Sequence, residues 1–208
     1  ASALTVDEFS MSGDFDGEGN SFAAELMPDV VEAGGITFRM ENNPADYNYI
    51  RCDGQTITLP EKHGYTKCYL LVTSSHGDRK ASFQVDGKDY SFNIPFYSGF
   101  IGQWGWKGES EGYMKDASIA YVGTHRHSSR AGGNESYIYT YLYKICLDIT
   151  SDARTLILPK DAGVALFAVT LSDNLNDDTR PAAEIRALPH ETVKVEYTTE
   201  PVAASRHR

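Results

Sequence analysis

Residues 136–149, SYIYTYLYKICLDI, alternate so strictly that only an extended strand accommodates them. Tyr137, Tyr139, Tyr141, Tyr143, Ile145 and Leu147 fall on one face, and Ile138, Thr140, Leu142, Lys144 and Cys146 on the other. Both faces carry apolar residues, so the strand needs cover on both sides and lies centrally for part of its length. A chain organised around it is a layered β protein.

The rest of the sequence agrees with that frame. Period-two runs recur at 36–40, 56–59, 67–73, 81–85, 90–94, 119–122, 155–158, 164–171 and 193–197, separated by turn signals, which is the pattern of a sandwich or barrel. Asp86-Gly87 supplies the positive φ angles of a tight primed turn, so 81–94 is read as one antiparallel hairpin. With 208 residues the chain can bury one large core. The expected fold is all-β, an antiparallel β-sandwich of jelly-roll type, occupying 1–183. Residues 184–208 form a C-terminal extension that could add a short helical turn, one strand and a frayed tail.

Composition narrows the partners. A formal charge of −10 repels nucleic acid and anionic membranes, leaving a neutral ligand, a cation or another protein. No run approaches the ~18 apolar residues of a membrane-spanning helix, and the first residues lack the regions of a signal peptide. Cys52, Cys68 and Cys146 are odd in number and widely spaced, which suits neither a disulfide framework nor a zinc ribbon. They are read as structural or inert thiols.

Three segments could carry chemistry. Asp14, Asp16, Glu18, Gly19 and Glu25 have the spacing of a calcium loop, since a hard cation needs oxygens from a tightly curled backbone. Gly13 and Pro28 are wrong for flanking helices, and the other reading is a solvated acidic turn bonding its own backbone. His125 and His127, two apart, would share one face of a strand, where they could share a metal or a polar ligand, or else sit in a locally bonded loop. The loop 99–108 carries Trp104 and Trp106, which with Phe96, Tyr97 and Phe100 could stack on a sugar ring or plug one end of the sandwich. Asp173, Asp177, Asp178 and Glu184 have no spacing that fixes a glycosidase pair, and no Gly-x-Ser-x-Gly elbow occurs.

Phe15-Asp16-Gly17-Glu18-Gly19-Asn20-Ser21, then Glu25-Leu26-Met27-Pro28, Gly35-Ile36-Thr37-Phe38 and residues 53–60 (DGQTITLP) resemble galactose-binding-like β-sandwich modules attached to bacterial glycoside hydrolases. Residues 74–78, 99–104, 124–127 and 171–174 resemble more specifically the C-terminal region of Bacteroidetes-type α-mannosidases of glycoside hydrolase family 38, and the likeness spans 9–183. The resemblance implies a non-catalytic jelly-roll accessory domain, periplasmic or secreted, that packs on the catalytic domain of the same polypeptide. It implies carbohydrate contact through Trp104, Trp106, His125, Arg126 and His127, and a structural calcium at Asp14, Asp16, Glu18 and Glu25. The zinc of that family belongs to its catalytic domain, whose motifs are not in this sequence. The alternatives are a stand-alone carbohydrate-binding module and a structural protein–protein interaction domain.

Overall fold

The computed structural model describes residues 3–5, 13–41, 48–99, 102–103, 113–114 and 118–173. Their strands, in chain order, are β1 Leu4–Thr5, β2 Asn20–Ala23, β3 Val30–Ala33, β4 Ile36–Arg39, β5 Ile50–Arg51, β6 Thr56–Thr58, β7 Lys67–Ser74, β8 Arg79–Val85, β9 Lys88–Ile94, β10 Gly102–Gln103, β11 Tyr113–Met114, β12 Ser118–Ser128, β13 Gly133–Asp148, β14 Thr155–Ile157 and β15 Val164–Ser172. A short 3-10 turn, Ala24–Leu26, follows β2.

Seven strands form a strongly curled half-barrel sheet in the order β1-β2-β12-β13-β7-β15-β5. A four-stranded sheet, β6-β14-β8-β9, and the hairpins β3-β4 and β10-β11 complete the fold. The large sheet is antiparallel except at its edge, where β1 runs parallel to β2. The expected hairpin turn is present: Asp86 and Gly87 both have positive φ, 45° and 86°, and Val85 pairs with Lys88.

The alternation of β7 separates two cores. Cys68, Leu70 and Val72 pack with Ile145, Leu147, Val164 and Leu166 against Phe83, Val85 and Leu156 of the four-stranded sheet. Tyr69 and Leu71 join Leu142 and Ala165 in a second core with Phe15, Phe22, Ile36, Phe38 and Tyr97. The sheet is thus covered on both faces, which is why β7 reads as a nearly continuous apolar run.

β13 lies between β12 and β7, as its sequence requires, and is buried on both faces from Thr140 to Ile145. Lys144 is buried on the second-core side, where its Nζ donates to the Ala33 carbonyl at 3.1 Å and so ties the β3-β4 hairpin to the sheet. The alternation is interrupted nearer its start. Tyr137 has φ 65° and is 80% exposed, and the pairing with β12 slips between the Gly123–Thr140 and His125–Ser136 partners. An irregularity of this kind increases local twist and re-aims the side chains beyond it.

Candidate functional site

Residues 13–20 form a loop held by its own carboxylates. Gly17 and Gly19 take positive φ angles of 76° and 82°, and Phe15 drops into a ring cluster with Phe22, Tyr49 and Tyr97, at centroid distances of 5.0–5.3 Å. Anchored this way, the loop buries Asp16 to 5% exposure. Asp16 Oδ1 accepts from the backbone N–H of Glu18 at 2.9 Å and of Asn20 at 3.2 Å, while Oδ2 accepts from Asn20 Nδ2 and Tyr97 Oη, each at 2.8 Å. Burial pushes the Asp16 carboxyl up, but these bonds together outweigh it and hold the group below its ordinary value. Tyr97 is pushed up by burial and by the Asp16 charge, so its phenol stays protonated and donating.

Arg126 on β12 extends this network. Its Nε donates to Glu135 Oε2 on β13, and its guanidinium lies beside Tyr97. Burial alone would lower the arginine, but the Glu135 bond and the neighbouring Tyr97 keep it firmly charged. Asp16, Glu18, Asn20, Ser75, His76, Gly77, Phe96 and Arg126 line a cleft of about 310 Å³. Two carboxylates, an amide, a hydroxyl, an imidazole and a guanidinium therefore surround one volume, with an aromatic ring beside them. Several are already fixed by protein partners, including Ser75 Oγ, 2.7 Å from His76 Nδ1.

The other face of β12 carries a second constellation. His125 Nε2 lies 2.8 Å and His127 Nε2 2.9 Å from the same atom, Glu25 Oε1. Glu25 projects from the 3-10 turn after β2, and β2 is the strand paired with this part of β12. His127 is fully buried; its Nδ1 is 2.8 Å from Thr5 Oγ1, which is 2.6 Å from Ser21 Oγ. Register explains the grouping, because Ser21 is the partner of His127 across β2-β12 and Thr5 lies beside Ala23 across β1-β2.

Strand alternation thus divides the His125-Arg126-His127 tripeptide that the sequence offers as one contact. The histidines face Glu25, and Arg126 faces the Asp16 cleft. The expected calcium set is not assembled: Asp16 is saturated by protein donors, Asp14 Oδ1 accepts from Gly19 N at 2.9 Å, Glu18 pairs with Arg130 at 3.0 Å and Glu25 has turned to the histidines. Asp14 and Asp16 curl the loop by accepting from its own backbone N–H groups, with Asp16 buried rather than solvated. Trp104 and Trp106 lie outside the described residues, as do Asp177, Asp178 and Glu184. Sequence reasoning missed Thr5 as a partner of His127, and it did not join Glu25 to His125, because 100 residues separate them. No periodic signal reports such a pairing.

The sequence model of the AziU2-like beta-sandwich domain matches residues 1–175. No curated protein matches the chain. The match covers the two packed sheets, the Asp16 cleft and the Glu25 cluster, so the sandwich reading of the alternation stands at family level. The chain belongs to the AziU2-like β-sandwich domain family.

Proposed function

We propose that this sandwich is a non-catalytic accessory domain of a larger sugar-processing protein, of jelly-roll type and akin to the C-terminal region of α-mannosidases. It contacts a neutral polyhydroxylated ligand in the cleft between Asp16 and Arg126. The observation that carries this reading is the fixed set of donors and acceptors around about 310 Å³, with the Phe96 ring at its side. A sugar hydroxyl both donates and accepts, so it suits a site where Arg126 is already paired with Glu135 and Asp16 is held by Asn20, Tyr97 and backbone N–H groups. The net charge of −10 disfavours an anionic ligand at the same place.

Calorimetry on the full chain tests it, with methyl α-mannoside and mannobiose as probes. The expected result is weak binding, with Kd near ~1 mM or about −4 kcal/mol. Arg126→Ala removes it, and Lys88→Ala, at an exposed position on the four-stranded sheet, leaves it unchanged. Absence of heat with both probes would overturn the ligand, and turnover of an aryl mannoside by the chain alone would overturn the non-catalytic role.

A second reading, packing against the catalytic domain of the same polypeptide, is favoured by an apolar groove at the far edge of the large sheet. Tyr49, Ile50, Ile57, Leu166 and Phe167 line it, and Ile50 is 39% exposed on edge strand β5. Apolar surface of that kind suits a neighbouring domain better than a sugar.

A further inference from the structure

The geometry points to a divalent transition-metal site, of the class that takes zinc, formed by Glu25 Oε1, His125 Nε2 and His127 Nε2. This inference stands apart from the glycan reading, since it uses the opposite face of β12. The three ligand atoms lie within 4.8 Å of one another, the only such set of three His, Cys, Asp or Glu side chains among the described residues. The imidazole rings are 5.6 Å apart with a 30° tilt, so both nitrogens converge on the carboxylate.

Ligand chemistry selects the ion. Calcium takes 6–8 oxygens, whereas two imidazoles and one carboxylate are the donor set of zinc and its neighbours. Bonds of about 2.0–2.2 Å in a tetrahedron hold donor atoms about 3.3–3.6 Å apart. The present 2.8 and 2.9 Å separations need to open by only about 0.5 Å to reach that spacing. Glu25, whose side chain is 34% exposed, can supply that movement, while His127 is fixed by burial. Three protein ligands leave one coordination position for water or a ligand oxygen.

The hydroxyl pair behind His127 serves both states. Without an ion, each Nε2–H donates to Glu25, and Thr5 donates to His127 Nδ1 while accepting from Ser21. With an ion on Nε2, the proton sits on Nδ1 and donates to Thr5 Oγ1, and the Thr5 hydrogen turns to Ser21. A partner on the remote ring nitrogen is how metal-binding histidines are oriented. Gly13 keeps this pair in place, because a Cβ there would lie 2.3 Å from Ser21 Oγ and 2.6 Å from Thr5 Cγ2.

The test uses the full chain after chelator treatment, titrated with Zn²⁺ by calorimetry and with Co²⁺ by visible absorption. The expected result is one ion per chain, a rise in Tm on zinc addition and cobalt bands of a four-coordinate N/O site. Glu25→Gln and His125→Ala, both at partly open positions, weaken binding at least tenfold with unchanged circular dichroism. Thr5→Val weakens it by about 10- to 100-fold through loss of the remote partner, and Lys88→Ala, at an exposed position on the four-stranded sheet, leaves it intact. The proposal is overturned if neither metal binds saturably, or if Glu25→Gln and His125→Ala bind zinc as the parent does; the cluster is then a hydrogen-bonded structural triad.

Discussion

Asp16 concentrates the chemistry of the acidic loop in one side chain. Its carboxylate has a depressed pKa, so its bonds contribute stability above the ordinary value of 3.8, and that contribution is lost as pH falls through the lower folded value. Urea unfolding of the parent should weaken below about pH 4, and in Asp16→Asn this acid-sensitive component should shrink. At neutral pH the same substitution should cost about 1–3 kcal/mol, because an amide nitrogen faces donors that need an acceptor. An Asp16→Asn variant of parental stability at neutral pH would contradict this account of the loop. The cysteines show a second residue-scale effect. Burial pushes Cys52 and Cys68 up to about 12, with the charges of Asp161 and Cys146 adding to the respective shifts. A thiol reagent at mildly alkaline pH should therefore label half-buried Cys146 first and spare the other two until the chain is denatured. That Cys68 is buried was legible from the apolar strand pattern around it. The Asp16–Tyr97 bond was not, since it spans 81 positions and nothing local to either residue encodes it.

Strand β12 shows how an element turns one tripeptide into two sites. Its length was only partly legible, because Gly123, Thr124 and the basic residues break the apolar alternation that marks 119–122, and pairing with β13 extends the strand to Ser128. The histidine segment is accordingly strand rather than loop. Gly123 sits at the register slip, where an added Cβ would meet Thr140 Oγ1 at 2.4 Å and Tyr121 Oη at 2.9 Å. Gly123→Ala should cost about 1–3 kcal/mol by overpacking, read as a lower urea midpoint at unchanged slope. Because the slip lies just before His125, the same variant should also weaken zinc binding. Parental stability together with parental zinc affinity would remove the slip from the account. In β13 the alternation predicted a central strand correctly, yet it gave no warning of the positive φ at Tyr137, since a tyrosine there fits the pattern better than the backbone does.

At the scale of the molecule, two cores share one sheet, and β7 separates them. Leu70, fully buried in the core beneath the four-stranded sheet, should cost about 2–5 kcal/mol on replacement by Ala. That loss should appear as one cooperative transition, because the sheet belongs to both cores; two separated transitions would mean the cores fold independently. The all-β class and central strand were legible because alternation is a local property of the chain. The order β1-β2-β12-β13-β7-β15-β5 was not, since apart from β1-β2 and β12-β13 the strands adjacent in the sheet are far apart in sequence, and their register depends on tertiary burial. The central functional claim is that the Asp16–Arg126 cleft is where ligand binds, and an amide NMR titration of the labelled full chain with mannobiose tests it most directly. The account predicts saturable shifts at Asn20, Ser75, His76 and Arg126, with the groove around Ile50 unmoved. Shifts confined to that groove, or none at the cleft residues at saturating sugar, would contradict it.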